Sequence, residues 1–476
     1  MTSIKKNFAY QAFYEILIIL MPLITSPYIS RVLGAEAIGV YSYTYSIAYY
    51  FVLFAMLGIS NYGNRLISSV RDERENLNKA FSSLLVLHVL IAALVFAVYL
   101  YYCFVFVDEN EKKYALIQGM FVASAIFDIN WFFFGLEEFK LSVTRNTIIK
   151  IISFISIFLF VRGKDDLYIY CIIMSAGILG SQVAVWPFLK DRVSIVKVNK
   201  KDLIPHIKPL FVLFIPVLAV SIYKIMDKVM LGQITTRISL GYYENAEKIT
   251  AVFTTAVSAF GTVMMPRMNN LFSKGDSNIG EEYLEKSMRW MLVVTYAVAL
   301  GVVGIAPDFV RLFWGKEFSP CAPILSVLAC SLPFVAFASV IRMQYLIPKH
   351  RDREYIISVS GGAIVNLIIN LLLIPHYAGE GAAIGTLCAE AFVCVYQMWT
   401  VRKEVNIATN IKRTTPFLIA GIIMCAVVRA IGAIGFSNLF FGLAVEIAVG
   451  ICIYFVFALY FLQDEIKSIL KTKNGG

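Results

Sequence analysis

Three formal charges interrupt an otherwise apolar stretch, LAVSIYKIMDKVMLGQ at residues 218 to 233, and they are Lys224, Asp227 and Lys228. Lysine ammonium groups bind phosphate oxygens through charge-assisted hydrogen bonds, so their chemistry is that of an anion site. In a helix, residues three and four positions apart lie on the same face, which brings the two lysines and the aspartate together. Because one carboxylate neutralises only one of the two ammonium groups, the pattern predicts a cationic wall for an anionic ligand.

The stretch that follows carries a second set of charges, Glu244, Glu247 and Lys248. Buried charges are normally paired, so one interpretation is a network of ion pairs between two neighbouring helices. The other interpretation is a cavity wall whose carboxylates neutralise the lysines until an anion arrives. The two interpretations are compatible, and the sequence leaves both open.

A stripe of tyrosines is the candidate surface for a sugar. Tyr41, Tyr45 and Tyr49 repeat every four residues and therefore share one face of a helix. Tyrosine rings can stack on the faces of sugars while their hydroxyl groups form hydrogen bonds. The alternative is an aromatic belt at a membrane surface for Tyr41, with core packing for the other two.

The elements that must position these residues are membrane-spanning helices. Hydrophobic residues make up 59% of the 476-residue chain and charged residues only 16%, against about 25% charged residues in a soluble domain. A spanning helix needs roughly 20 apolar residues. The fourteen stretches that qualify are 9–32, 36–60, 81–107, 114–136, 143–161, 167–189, 209–233, 239–265, 287–307, 321–347, 355–375, 380–401, 415–434 and 438–462. We therefore predict an all-α polytopic membrane protein with about 14 transmembrane helices.

Basic residues indicate how the chain is oriented in the membrane. If the N-terminus is cytoplasmic, the connecting segments carry 28 Lys and Arg residues inside and 8 outside, which is a strong positive-inside signal. Both termini are therefore predicted to be cytoplasmic. This asymmetry explains most of the formal net charge of +10. We predict no nucleic-acid partner, because no basic tail with interleaved aromatic residues is left to bind one.

Six basic residues fall inside the predicted spans: Lys150, Lys224, Lys228, Lys248, Arg342 and Arg429. A charge at the centre of a spanning helix costs roughly 2.5 to 3.5 kcal/mol, so it normally faces the bundle interior or a water-filled cavity. The residues predicted to bind substrate are Arg31, Lys224, Lys228, Lys248, Arg342, Tyr41, Tyr45 and Tyr49. The residues predicted to act in coupling or gating are Asp128, Asp227, Glu244 and Glu247. No catalytic residue and no metal site is predicted.

An internal repeat organises the spans. Residues 39–65 align without gaps on residues 241–267 with five identities, beginning with a glycine in each. The preceding helices also correspond, since each contains a proline and each ends in Leu-Gly, at 33–34 and 231–232. Proline-interrupted spans at corresponding places in two halves are typical of transporters that bind their substrate at the repeat interface.

The repeat predicts two pseudo-symmetric six-helix lobes followed by a helix pair. The N-terminal lobe is predicted at 1–190, a cytoplasmic loop at 191–208, and the C-terminal lobe at 209–402. The additional helix pair and a cytoplasmic tail are predicted at 403–476.

The chain resembles a known family in three stretches. They are SPYISRVLGAEAIGVYSYTYSI (26–47), FFFGLEEFKLSVTRNTIIKI (132–151) and GAIVNLIINLLLIPHYAGEGAAIGTLCAE (362–390). These stretches are similar to the bacterial polysaccharide-transporter family, the Wzx-type flippases of O-antigen and capsule repeat units. That family belongs to the multidrug/oligosaccharidyl-lipid/polysaccharide (MOP) exporter superfamily, which also contains the MATE transporters.

The resemblance implies a V-shaped pair of six-helix lobes that opens alternately to each side of the bacterial cytoplasmic (inner) membrane. The implied cargo is an undecaprenyl-diphosphate-linked oligosaccharide, moved from the inner to the outer leaflet for O-antigen, capsule or exopolysaccharide biosynthesis. The implied partners are this cargo, membrane lipids, and a polysaccharide polymerase and glycosyltransferases. No cofactor is implied, and coupling to Na⁺ or H⁺ is left open.

Related lipid II flippases carry basic residues that face the cavity on their first, second and eighth helices. Arg31 ends predicted helix 1 and Lys248 lies on predicted helix 8, whereas helix 2 has no basic residue before Arg65. The cationic residues of this chain are therefore expected to be concentrated on predicted helix 7.

A cation-coupled antiporter of drugs or small molecules, from the same superfamily, is the nearest alternative function. A membrane polysaccharide polymerase or transferase is the alternative from the enzyme class. Such enzymes usually present a large outer loop or a catalytic cluster of acids and histidines. Here the outer loops are short and the four histidines are scattered, so we predict a transporter and not an enzyme.

Overall fold

The structure is a computed structural model. It describes the backbone of residues 2–274 and 276–473 and the side chains of residues 20–461, apart from those of 139, 140, 216, 219, 222–224, 275 and 277. The described backbone is mostly helical, and its α-helices are α1 (Thr2–Met56), α2 (Ile59–Val70), α3 (Arg74–Val105), α4 (Glu109–Ser124), α5 (Asn130–Gly135), α6 (Phe139–Phe160), α7 (Leu167–Val183), α8 (Lys200–Ile234), α9 (Arg237–Ser273), α10 (Ser277–Phe313), α11 (Cys321–Cys330), α12 (Leu332–Ile341), α13 (Asp352–Val401), α14 (Ile407–Ile434) and α15 (Leu439–Lys473).

Eleven segments of the described residues are long and apolar enough to span a membrane. Two of them each cover two of the predicted spans, because the backbone leaves helical geometry at Gly34 (φ 81°) in α1 and at Ala378 (φ 46°) in α13. A further predicted stretch, 209–233, falls within α8, which includes residues outside the described set. The prediction of an all-α polytopic membrane protein with about 14 spans is confirmed.

The chain forms two compact units, Met1–Gly241 and Tyr242–Gly476. Helix α8 packs in the first unit, although the sequence predicts it as the first helix of the second lobe. The core of the first unit brings together Leu53, Phe81, Trp131, Leu210 and Phe214. The core of the second unit includes Met288, Phe337, Tyr345, Cys394 and Val401. The predicted division into an N-terminal lobe at 1–190 and a C-terminal lobe at 209–402 stays a prediction.

Connecting segments that the sequence predicts on the same side of the membrane contact one another. Lys79 Nζ lies 2.9 Å from Asp202 Oδ1, and Arg192 Nε lies 2.7 Å from Glu138 Oε2, and all four residues belong to segments predicted on the cytoplasmic side. The backbone N–H of Asn199 also donates to Asp202 at the start of α8. This hydrogen bond and the Lys79 ammonium hold the pKa of Asp202 below its ordinary value. Which side faces the cytoplasm stays a prediction.

Labelling of single cysteines tests that orientation. We expect Lys197→Cys, in the segment 191–208, to react with a membrane-impermeant maleimide only when the cytoplasmic side is open to the reagent. We expect Asp165→Cys, in a segment predicted outside, to react in intact cells. Both side chains are exposed, so a difference in labelling reports sidedness. Rapid labelling of Lys197→Cys in intact cells would contradict the orientation, and the parent chain measures the background from the eight native cysteines.

Candidate functional site

Two helix junctions pack backbone against backbone in the first unit. They are the break at Gly34 in α1 and the turn between α8 and α9. A Cβ atom at Gly39, just after the break in α1, would lie 1.7 Å from the carbonyl oxygen of Arg237 at the start of α9. A Cβ atom at Gly241 would lie 2.0 Å from the carbonyl oxygen of Ala35. No side-chain carbon can occupy either place, so this close approach of two backbones requires glycine at both positions.

These contacts are reciprocal with respect to the internal repeat. Gly39 is equivalent to Gly241 in the alignment, and the same interval of 202 residues separates Ala35 from Arg237. Each glycine therefore faces the residue whose repeat equivalent faces the other glycine. This is the geometry of an isologous, two-fold-related contact, and it shows the predicted repeat in the packing of the first unit.

Arg237 links the second of these junctions to α4. Its guanidinium group forms a bidentate ion pair with Glu111, with Nε 2.6 Å from Oε1 and Nη2 2.9 Å from Oε2. The same group lies 3.6 Å from the ring centroid of Tyr43, and Nη1 donates to the carbonyl oxygen of Gly232. The Arg237 and Glu111 side chains are only 20% and 15% exposed, which strengthens their attraction. Arg237 is not among the residues that the sequence predicts to bind substrate or to act in gating, so this role was missed.

The charged triplet of α8 is described only in part. Asp227 is buried and Lys228 is half-buried, and both make interactions within the structure. The side chain of Lys224 lies outside the described residues. Arg31, in α1, is exposed and also makes interactions. The anion-binding role of these residues stays a prediction.

The second unit holds the remaining predicted charges. In α9, Lys248 Nζ lies 3.5 Å from Glu244 Oε1, one helical turn away. Glu247 is half-buried and has interactions of its own. Arg342 begins a π-helical turn after α12, and its guanidinium carbon lies 5.6 Å from the ring centroid of Tyr355. The structure therefore places the predicted basic residues in both units, and their contact with a substrate stays a prediction.

The tyrosine stripe packs into an aromatic cluster of the first unit. Tyr45 stacks on Tyr41 at a centroid distance of 5.7 Å and on Phe121 at 4.9 Å, while Tyr41 meets Tyr170 edge-on at 4.8 Å. Tyr49 packs against the same cluster. These contacts are those of the core-packing interpretation, and a sugar could stack on Tyr45 only by displacing a neighbouring ring. The carbohydrate role of the stripe stays a prediction.

Asp128 is one end of a polar network between helices of the first unit. Its Oδ1 accepts hydrogen bonds from the backbone N–H (2.9 Å) and Nδ2 (2.8 Å) of Asn130, and its Oδ2 accepts from Gln182 Nε2 (3.2 Å). Asn130 Nδ2 also donates to Gln182 Oε1 (2.7 Å), and Asn130 Oδ1 accepts from Arg145 Nη2 (2.9 Å). Sequence reasoning found Asp128 but missed its amide partners, because a neutral amide leaves little mark in a pattern of charges.

A second polar cluster that sequence reasoning missed lies in the second unit. Asn366 and Asn370, one turn apart in α13, are 1% and 0% exposed, and Asn370 Nδ2 lies 3.1 Å from Asn366 Oδ1. The hydroxyl groups of Tyr243 and Thr386 lie 3.2 Å apart.

Among the described residues, no group of three or more His, Cys, Asp or Glu could hold a metal ion.

Residues 4–272 match the family described as polysaccharide biosynthesis protein. The chain belongs to this family. A candidate O-antigen transporter of Escherichia coli (strain K12) is 22% identical over 412 residues, which cover 84% of this chain and 97% of that protein.

Solved structures show the fold of this chain. The lipid II flippase MurJ, in an inward closed conformation, matches with a TM-score of 0.78 at 18% identity, over 97% of this chain and 99% of that chain. An inward-facing multidrug resistance MATE transporter of the MOP superfamily matches with a TM-score of 0.60 at 12% identity, over 84% of this chain and 99% of that chain. The family match confirms the predicted resemblance to a polysaccharide-transporter family, and the solved structures show the fold.

We expect Asn130→Ala to lower the melting temperature of the purified chain by roughly 2 to 12 °C. The change removes hydrogen-bond partners from Asp128, Gln182 and Arg145, and a buried polar group that loses its partner costs about 1 to 3 kcal/mol. A change of about 1 kcal/mol shifts the melting temperature by roughly 2 to 4 °C in a unit of this size. Thermal unfolding in detergent measures the effect.

Asn110→Ala is the control for this prediction, because Asn110 is an exposed residue of the same unit. We expect this variant to melt within about 1 °C of the wild type. If the two variants melt at the same temperature, the network around Asn130 contributes nothing to stability.

Proposed function

We propose that this chain is a flippase that moves an undecaprenyl-diphosphate-linked oligosaccharide from the inner to the outer leaflet of the bacterial cytoplasmic membrane. The observation that carries the proposal is the reciprocal contact of two repeat-related helix junctions, in a chain of the polysaccharide biosynthesis family. Both halves of such a contact form and break together, which is what a transporter needs to close and reopen one side. The similarity to a candidate O-antigen transporter over 84% of the chain supports the substrate class.

The chemistry of the cargo fits the charges that these apolar helices carry. A lipid diphosphate is an anion that has to cross the membrane midplane. Lysine or arginine in a wet cavity can replace the water that its phosphates lose. The residues proposed for the diphosphate are Arg31, Lys224, Lys228, Lys248 and Arg342, and those proposed for the sugars are Tyr41, Tyr45 and Tyr49.

The acids in the spans are proposed to couple or gate the movement. They are Asp128, Asp227, Glu244 and Glu247, and the coupling ion is proposed as Na⁺ or H⁺ because ionisable residues inside membranes commonly serve ion pathways. Both termini are proposed to face the cytoplasm, where the cargo is assembled. A polysaccharide polymerase and glycosyltransferases are the proposed protein partners, since they consume and supply the cargo.

The deciding experiment identifies the lipid-linked intermediate that accumulates on the inner leaflet when the protein is depleted. We expect an undecaprenyl-diphosphate oligosaccharide to accumulate there. We also expect vesicles that contain the purified protein to move this lipid between leaflets. Failure of both would exclude the proposed cargo.

A cation-coupled drug antiporter is the second candidate function, because a multidrug MATE transporter shares the fold with a TM-score of 0.60. Vesicles that exchange organic cations against sodium or protons, and leave the lipid-linked sugar in place, would favour this candidate. Polymerisation of sugars by the purified chain would favour an enzyme instead.

The lysines of α8 offer a test of the site at the level of residues. We expect the double variant Lys224→Ala, Lys228→Ala to insert at a normal level but to flip the cargo at least roughly ten-fold more slowly. Hydrogen bonds to charged groups contribute about 1.5 to 3 kcal/mol each, which corresponds to roughly a ten-fold change or more. Lys224→Arg keeps the charge and is expected to retain part of the activity. Flipping is measured at matched protein levels.

Asp227→Ala separates the binding role of these lysines from a purely structural one. If Lys224 only balances a carboxylate, adding Asp227→Ala to Lys224→Ala restores the protein level that the single change lowers. If Lys224 holds the diphosphate, the combined variant inserts but stays inactive. Wild-type flipping by a normally expressed variant without both lysines would show that the charges only hold helices together.

A further inference from the structure

Two carboxyl groups meet inside the second unit, at a place that the proposed function does not use. Glu446 of α15 is 2% exposed, and the side chain of Asp308 in α10 is 16% exposed. A Cβ atom at Gly432 in α14 would lie 2.9 Å from Glu446 Oε1 and 3.4 Å from Asp308 Oδ2. Three helices therefore converge on the pair, and the absence of a side chain at Gly432 leaves room for it.

A hydrogen bond between two carboxyl groups requires a proton. An ionised carboxylate has no donor, so two carboxyl groups can form a hydrogen bond with each other only when at least one of them is protonated. Two adjacent carboxylates repel each other when both are ionised, and removal from water strengthens the repulsion. Oε1 of Glu446 receives no hydrogen bond from the described part of the chain, so it lacks the donors that would stabilise a second negative charge.

The positive groups around the pair limit which ligand fits. Arg311, on the same helix as Asp308, has Nη1 3.9 Å from Asp308 Oδ1, and its side chain is 53% exposed. Arg429 lies in α14, about one helical turn before Gly432. Two nearby guanidinium groups repel a metal cation, whereas a proton can bind directly between the oxygens of the pair.

We propose that Asp308 and Glu446 form a proton-binding site in which the two carboxyl groups share one proton. The proposal goes beyond the proposed function and does not depend on the identity of the cargo. The shared proton joins α15 to α10, two helices that are also joined by the Tyr454 hydroxyl, which donates to the carbonyl oxygen of Val293 (2.6 Å). Loss of the proton leaves two anions at the contact and weakens the attachment of α15.

The two carboxyl groups lie at matching depths in their helices. Asp308 is five residues before the end of α10 and Glu446 is seven residues after the start of α15. At about 1.5 Å per residue, both lie roughly 8 to 10 Å from the helix ends. An ionisable residue at such a depth in a spanning helix is normally functional.

The first test is thermal unfolding of the full-length protein in detergent at about pH 6 and about pH 9. We expect the melting temperature of the wild type to fall by roughly 3 °C or more as the pH rises, because the shared proton leaves the buried pair. Glu446→Gln can donate to Asp308 as the protonated acid does, so it is expected to lose at least half of that fall. Glu317→Gln changes an exposed acid and is expected to keep the whole fall.

Infrared spectroscopy at neutral pH gives a second readout that does not depend on stability. The absorption of protonated carboxyl groups is expected to be weaker in Glu446→Gln and in Asp308→Asn than in the wild type, and unchanged in Glu317→Gln. An unchanged band in both pair variants overturns the proposal. Restoration of the wild-type stability at about pH 9 by sodium but not by potassium also overturns it, because the site would then hold a metal cation.

Neither readout involves the cargo or its movement. A failure of the flippase hypothesis in the vesicle experiments would therefore leave the proton site standing. A failure of both readouts here would remove the proton site without affecting the flippase hypothesis.

Discussion

Gly39→Ala is expected to reduce flipping by roughly ten-fold or more while the protein still inserts. The added Cβ would lie 1.7 Å from the carbonyl oxygen of Arg237, and a backbone oxygen cannot move aside as a flexible side chain would. Overpacking costs about 1 to 3 kcal/mol, which corresponds to a roughly 5- to 150-fold shift away from the packed junctions. Helix propensity alone predicts the opposite sign, since alanine stabilises a helix interior by about 1 kcal/mol over glycine.

The measurements are the flipping rate at matched protein level and the distance between spin labels at Glu36 and Ile238, two exposed residues beside the junctions. We expect the label distance to increase in the variant. Gly180→Ala is the matched control, because a Cβ atom at Gly180 meets nothing within 4 Å. Wild-type flipping and an unchanged label distance in Gly39→Ala would show that the contact is not needed.

Because the contact is reciprocal, the result for Gly39→Ala should be matched by a variant at the equivalent glycine. Gly241→Ala should have an effect of the same size, because its Cβ would lie 2.0 Å from the carbonyl oxygen of Ala35. The double variant should be little worse than either single variant, because the second clash has no cost once the junctions have separated. Simple addition of the two losses would indicate two independent sites of damage.

Arg237→Lys is expected to slow flipping by roughly 30-fold although it keeps the charge. Lysine cannot form the bidentate pair with Glu111 or stack its head group flat on Tyr43 as the guanidinium does. Breaking a fully buried ion pair costs about 3 to 5 kcal/mol. This pair is 15% to 20% exposed, so we expect about 2 kcal/mol, which is roughly 30-fold. The flipping rate at matched protein level measures the effect.

Charge reversal tests whether the ion pair itself is responsible. The combined variant Arg237→Glu, Glu111→Arg should recover part of the activity that Arg237→Glu alone loses, because it restores the pair in the opposite sense. Arg162→Lys changes an exposed arginine of another segment predicted outside and should have no effect. If the combined variant recovers no activity, the loss is due to the contacts of Arg237 with Tyr43 and Gly232 and not to its ion pair with Glu111.

The fold was accessible from the sequence because hydropathy is a strong and local signal. Each of the fourteen predicted stretches is largely helical, although 36–60, 114–136, 167–189 and 321–347 each cross a junction between successive helical elements. The breaks at Gly34 and Ala378 lie between neighbouring stretches. The repeat was also visible, although only five identities support it. The sequence does not reveal which residue each repeated glycine contacts, because the contact between Gly39 and residue 237 depends on how distant helices pack.

The candidate site was less accessible for two physical reasons. Charges in apolar helices are conspicuous, which is why Asp128 and Asp227 were found, but a charge does not reveal its partner. Buried amides such as Asn130 and Asn366 are inconspicuous, since their hydrogen bonds form only after the helices have assembled. The spacing of the tyrosines could not distinguish sugar binding from aromatic packing, because a tyrosine ring can stack on a sugar as well as on Phe121.

The position of α8 has a consequence for the way this protein is made. Because Leu210 and Phe214 belong to the same core as Phe81 and Trp131, the first unit cannot complete that core until α8 has been synthesised. At about 5 to 20 residues per second, the ribosome takes roughly 3 to 10 s to travel from residue 190 to residue 241. During those seconds the first helices lie in the bilayer with one face unfilled. A fragment that ends at residue 190 would preserve this intermediate and would be a substrate for membrane proteases.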